Sequence, residues 1–232
     1  TALAGGVTPM VVLLCSPPLS ALPQPVLAAI VLIAVAGLFQ ASELKHLWHA
    51  SRSEFVVATT ALLGVMTSGL LRGVLIGAII SLVQLLRRAA RPHVAVLGRI
   101  PGTRRFSDRE RHPDNELIPG VLIFRPEANL IYFNVDSVRD TIAERVRAEA
   151  PPPKLVIIDF SAAPYVDLQS AHTLAGLADE LTARGIRVHV VETRSAVREL
   201  LRREGVDAKL GGIDRFTTVA DAVAAVQKEN SV

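Results

Sequence analysis

The stretch KLVIIDFSAAPYVDLQSAHTLAGL, residues 154–177, decides how the polar half of the chain folds. From Leu155 to Phe160 it is an apolar run broken only by Asp159, the pattern of a strand buried on both faces of a sheet. SAAPYVD then reads as a turn. Asp167 stands where a carboxylate can accept hydrogen bonds from the free amides of a helix start, and Leu174, Leu177 and Leu181 mark one face of the helix that follows. The turn therefore sits at the C-terminal edge of a sheet beside a helix N-terminus, a place that favours anions and where α/β proteins often put function.

The same alternation extends outward from this unit. GVLIF (120–124) and NLIYFNV (129–135) read as strands joined by the hairpin connection RPEA. Val138, Ile142 and Val146 predict a helix that ends before Pro151, Pro152 and Pro153. RVHVVE (187–192) is the next strand, Val197, Leu200 and Leu201 predict a third helix, and Phe216 with the Ala/Val run Val219 to Val226 predicts a terminal one. About 110 residues with this pattern suffice for one helix-covered sheet. The charged, proline-containing stretch from residue 93 to 117 reads as a linker or long loop, so the α/β domain is expected over 118–232.

Residues 1–92 are a different material. The chain has 232 residues, half of them hydrophobic, and a positive mean hydropathy of +0.38. Residues 1–92 hold six Lys or Arg against two acidic residues, whereas residues 93–232 hold 19 basic and 20 acidic ones. No charged side chain occurs from Ala2 to Gln40. As a helix rising ~1.5 Å per residue, that run would be nearly twice a ~30 Å hydrocarbon layer, so it reads as two spans, about 2–16 and 24–40, broken at Pro17, Pro18, Pro23 and Pro25. SELKHLWHASRSE (42–54) suits a headgroup interface, with Trp48 beside Lys45 and Arg52. Ser51 and Glu54 have capping-box spacing for a third span, and a fourth restarts near Thr67 or Ser68. Gly69, Gly73, Gly77 and Ser81 recur every fourth residue there, spacing that lets a neighbouring helix approach closely. Arg87, Arg88 and Arg91 close the region as a cytoplasmic stop, and Arg72 falls near the opposite mouth of the hairpin, where it can snorkel.

Several function classes fall away. The basic excess lies beside apolar runs and no basic stripe is interleaved with aromatics, so nucleic acid is not expected as a partner. The chain starts at Thr1, with no basic region before the apolar run, so it reads as a fragment or processed chain rather than one led by a signal peptide. Cys15 is the single cysteine and permits no internal disulfide. Glu43, His46 and His49 could share a helical face, but the set lacks a further strong ligand, so no metal is assigned. Asp167, Ser170 and His172 suggest a catalytic triad, yet residues two apart on a helix point about 200° away from each other, and no catalytic residue is assigned. No P-loop or dinucleotide fingerprint occurs, Gly211 and Gly212 reading only as a turn, and no cofactor is expected.

The ordered motifs LPQPVLAAIVLIAVAGL, SRSEFVVATTALLGVMTSGLLRGVLIGAIISLVQLLRR, PHVAVLGRIPGTRRFSD, PGVLIFRPEANLIYFNVDSVRD and VIIDFSAAPYVDLQSAHTL resemble the C-terminal part of a SulP anion transporter, the family called solute carrier 26 in animals. The resemblance implies a membrane α-helical segment, the last helices of a fourteen-helix inverted-repeat transporter, followed by a cytoplasmic α/β STAS domain. It further implies a multi-pass protein of the cell membrane, usually a homodimer, with an inorganic anion or small dicarboxylate as substrate of the full-length protein and a possible cytosolic protein partner for the STAS domain. The anion site of such transporters lies between core half-helices that precede this segment, so no substrate residue is nominated. The alternative is a membrane-tethered STAS module that binds a protein or nucleotide and transports nothing. In the related anti-sigma-factor antagonists the turn reads Asp-Ser-Ser-Gly, with the second serine phosphorylated. Here Asp167 is followed by Leu168, Gln169 and Ser170, and Gln169 offers no hydroxyl where the phosphate would go. The resemblance therefore implies a regulatory or docking turn at Asp167, Gln169 and Ser170 that has lost the switch, with Ser170 left as the neighbouring phosphate acceptor.

Overall fold

The computed structural model describes residues 23–38, 41–215 and 217–229. The span expected over 2–16, Cys15 and Phe216 lie outside the described residues. The chain divides into two compact units, residues 1–81 and 82–232.

The first unit is helical. Helix α1 (Gln24–Leu38) falls within the expected span 24–40, and the polar stretch after it is itself a helix, α2 (Ala41–Ala50). Trp48 meets Phe55 edge to face, with ring centroids 4.9 Å apart, and the Arg52 guanidinium lies 5.9 Å from the Trp48 ring. Helix α3 (Arg52–Ser68) starts at the expected cap, the Ser51 hydroxyl accepting from the Glu54 amide at 3.4 Å. The break before the next helix falls at Gly69, whose φ of +88° is costly for any side-chain-bearing residue. Helix α4 (Leu70–Ala90) then runs 21 residues and, among the described helices, is the one long and apolar enough to cross a membrane by itself. Its glycines face α3: a Cβ on Gly73 would run into the Val65 backbone, and one on Gly77 would come 2.7 Å from the Ala61 Cβ. The small-residue spacing thus lets two backbones approach, while Met66, Leu70 and Leu71 stand exposed, as they would toward lipid.

The second unit is built on a five-stranded sheet in the order β2-β1-β3-β4-β5. Strands β3 (Val121–Pro126), β4 (Leu155–Asp159) and β5 (Arg187–Val191) are parallel. Strands β1 (Val94–Arg99) and β2 (Phe106–Asp108) extend the sheet antiparallel, with Val96 opposite Phe124. Side chains alternate across the pleat. Val156 and Ile158 point to a core with helices α5 (Val135–Ala148), α6 (Leu168–Ala183) and α7 (Ser195–Arg203). Leu155 and Ile157 point to the other core, closed by helix α8 (Val219–Glu229) through Val219, Val223 and Val226. With both faces covered, β4 is buried at every position, as its apolar run requires.

Two expectations are corrected. Residues 93–117 are not a linker. They supply β1 and β2, and Ala95 and Leu97 bury against the α8 side of the sheet. The loop that follows is pinned by Asn115, whose side-chain amide donates to the Ser107 hydroxyl at 2.7 Å and the Ser107 carbonyl at 3.1 Å. NLIYFNV is not a strand either: Leu130 makes a single bridge to Val166, and the chain turns at once because the Asn134 carboxamide oxygen accepts from the Ile131 amide at 3.0 Å.

Candidate functional site

The turn between β4 and α6 is fixed by two carboxylates. Asp159, only 1% exposed at the end of β4, accepts from the Arg125 guanidinium of β3 at 2.8 Å (Nε) and 2.7 Å (Nη2). Its second oxygen accepts from the Ser161 amide at 2.8 Å, which starts the turn. Asp167 caps α6, as the sequence leads one to expect, by accepting from the Ser170 amide at 2.8 Å. It does more than cap: its other oxygen accepts from the Tyr132 amide at 2.7 Å and ties the turn to the 130–134 loop. Burial alone would raise the Asp167 pKa. The Ser170 hydroxyl and amide and the Tyr132 amide outweigh it, and the carboxyl is held below its ordinary value.

The structure places the three turn residues differently. Gln169 is exposed, Asp167 is half-buried, and the Ser170 hydroxyl is fully buried near the Asp167 carboxylate without making a hydrogen bond. A phosphate cannot reach Ser170 unless the start of α6 opens. His172 is directed to Glu204, 3.4 Å away, and not to Ser170, in keeping with the geometric argument against a triad. Beside Gln169, the turn and the adjoining loop expose three large apolar side chains: Tyr132 is 70% exposed, Tyr165 55% and Leu168 50%. The sequence hides this trio, because Tyr132 sits in a stretch that reads as strand and is brought to the others by the Leu130–Val166 bridge and the Asp167 link.

A concavity of about 430 Å³ opens at the C-terminal ends of β3, β4 and β5 and is lined by Arg104, Arg105, Arg125, Asp159 and Glu192 among others. Its charges are largely satisfied internally, Arg125 by Asp159 and Arg104 by Asp221 at 3.2 Å. Burial and the neighbouring Asp159 charge raise the Glu192 pKa. Among the described residues no group of three His, Cys, Asp or Glu is placed to hold a metal, and the His49 ring nitrogen Nδ1 is taken up by the Lys45 carbonyl at 2.8 Å.

Comparison with known proteins places both parts. Residues 1–61 match the sulfate permease family and residues 112–222 match the STAS domain. The chain is 30% identical to a probable sulfate transporter 4.2 of Arabidopsis thaliana over 96% of its length and 35% of that protein. It is 30% identical to a probable sulfate transporter of Mycobacterium tuberculosis over 97% of its length and 40% of that protein. Its fold is similar to murine Solute Carrier 26 family member A9 anion transporter, with a TM-score of 0.72 at 21% identity over 89% of this chain and 34% of that one. The chain thus spans 32% to 40% of the length of the curated relatives it matches. In sequence order it carries part of a multi-pass sulfate permease membrane domain and then a STAS domain, the organisation of the C-terminal part of a SulP (solute carrier 26-type) anion transporter.

Proposed function

We propose that the full-length protein is a secondary transporter of an inorganic anion or small dicarboxylate, with sulfate the first candidate because the relatives are named sulfate transporters. The observation that carries this reading is the glycine-packed hairpin α3–α4, which ends in Arg87, Arg88 and Arg91 and leads within a few residues into the STAS sheet. Such an arginine cluster favours the cytoplasmic side, so the STAS domain is cytoplasmic and the membrane part ends near Pro92. The domain regulates or assembles the transporter, which works as a homodimer. Its docking turn is Asp167, Gln169 and Ser170, a rigid cap that displays Tyr132, Tyr165 and Leu168 to a cytosolic protein; the buried Ser170 hydroxyl supports the reading that the switch is lost.

Uptake of labelled sulfate, bicarbonate and succinate by the full-length protein in proteoliposomes tests the transport reading. Flux of at least one of the three is expected. Flux of none, from protein shown to be folded and inserted, would leave the membrane-tethered STAS module in its place.

A further inference from the structure

The second unit, which begins at Leu82, contains a cleft that the transport reading does not use and that shares only Tyr132 with the surface displayed by the docking turn. Its volume is about 560 Å³, within the range of ligand-sized clefts, and its lining falls into two groups. Val83, Leu86, Arg87 and Ala90 lie at helical spacing along one stripe of the last turns of α4; Ile131, Tyr132 and Phe133 come from the loop opposite. The walls do not drift apart, because the buried Asn134 side-chain amide donates to the Ala89 carbonyl at 3.2 Å and to the Asn129 carbonyl at 3.0 Å. Val83 and Leu86 are 43% and 50% exposed, so the cleft is open and nothing of this unit covers them.

Three features define what fits. The lining is apolar apart from one guanidinium, that of Arg87, which calls for a largely hydrocarbon ligand with one anionic group. The stripe ends a helix long enough to cross a bilayer, where acyl chains give way to headgroups. Tyr132 and Phe133, a tilted ring pair 6.0 Å apart, have the character of residues found at membrane interfaces. We infer that this cleft binds a phospholipid with an anionic headgroup, its acyl region against Val83, Leu86 and the Tyr132–Phe133 pair and its phosphate on Arg87. The inference uses the membrane insertion of α4 but not transport, so a protein that moves no anion would still show it.

The test is lipid retention by the full-length protein. It is reconstituted in an equal mixture of phosphatidylglycerol and phosphatidylcholine, transferred to detergent, and its bound lipid is counted by native mass spectrometry. Preferential retention of phosphatidylglycerol is expected. Arg87→Gln should lower the ratio of the two lipids about fivefold, since one basic residue near a membrane surface contributes about that much to binding an anionic headgroup. Arg72→Gln, at the other end of α4 and outside the cleft, should lower the ratio less than Arg87→Gln does. Leu86→Trp, which fills the cleft, should lower retention of both lipids while circular dichroism and thermal melting stay those of the parent. Equal retention of the two lipids by the parent protein, or a ratio that Arg87→Gln does not move, overturns the inference. So does efficient crosslinking between copies of a Tyr132→Cys variant with no lipid retained, which assigns the cleft to a second copy of the chain.

Discussion

Asp167 ties the STAS turn together through two different hydrogen bonds, and substitutions that separate them give a graded result. Asp167→Ala removes both the cap on the Ser170 amide (2.8 Å) and the acceptor for the Tyr132 amide (2.7 Å). Loss of an N-cap costs about 1 kcal/mol. Loss of a bond to a charged acceptor costs about 1.5–3 kcal/mol, and the half-exposed setting of Asp167 argues for the lower end. The expected total is thus about 2–3 kcal/mol, or roughly 6–10 °C in melting temperature for a domain of this size. Asp167→Asn keeps a carbonyl oxygen for the cap but turns an NH2 toward the Tyr132 amide, a donor facing a donor, and should lose about 1–2 kcal/mol. Because the folded-state pKa of Asp167 is depressed, its contribution is present above the unfolded carboxyl value of about 3.9 and is lost as pH falls through the lower folded value. Urea titrations of residues 93–232 at pH 7 and again in acid measure both effects, and parent and Asp167→Asn should converge in acid. An Asp167→Ala variant within about 0.5 kcal/mol of the parent at pH 7, the scatter of ordinary surface substitutions, would refute the reasoning.

Other substitutions probe separate parts of the fold. Arg125→Met leaves Asp159 as an unpaired buried charge and should cost about 3 kcal/mol by urea titration, with Asp159→Asn in the same chain recovering part of it. Glu192→Gln should do the opposite at neutral pH: burial and Asp159 raise the Glu192 pKa, so its ionisation destabilises the fold as pH rises above about 4.3, and the variant's advantage should vanish in acid. Gly73→Val drives a side chain into the Val65 backbone and should abolish the monodisperse chromatographic peak of the detergent-solubilised chain. Gly176→Ala, at a helical glycine whose added Cβ meets nothing within 4 Å, should instead raise the melting temperature, by up to about 1 kcal/mol of stability.

Legibility in the sequence followed burial. The run Leu155 to Asp159 is buried on both faces and can be read directly, as can the Asp167 cap, because carboxylate, turn and apolar helix follow each other within a few residues. β1 is as well buried at its centre, but a glycine-, arginine- and proline-rich stretch follows it, and that charge obscured a strand whose partner β3 lies more than twenty residues away. NLIYFNV misled in the opposite direction. Its Ile, Tyr and Phe carry strand propensity, yet these side chains line a cleft and a surface, and it is Asn134, a polar residue, that sets the local path. In the first unit the regular spacing of Gly69, Gly73, Gly77 and Ser81 predicts close packing; Gly73 and Gly77 do face Val65 and Ala61, whereas Gly69 meets nothing within 4 Å and ends α3. The second half of the Asp167 role needed the fold, since nothing local in the sequence joins residue 132 to residue 167.

The central claim of the proposed function is that the helices before Pro92 lie in a membrane and that the STAS domain is on its cytoplasmic side. Alkaline carbonate extraction of inside-out vesicles carrying the protein, paired with protease treatment of the same vesicles before extraction, measures both halves of it at once. The account predicts that the chain stays in the membrane pellet and that added protease shaves off residues 93–232 from the exposed side. A chain released by carbonate, or a STAS domain protected in inside-out vesicles and cleaved only in right-side-out ones, would contradict it.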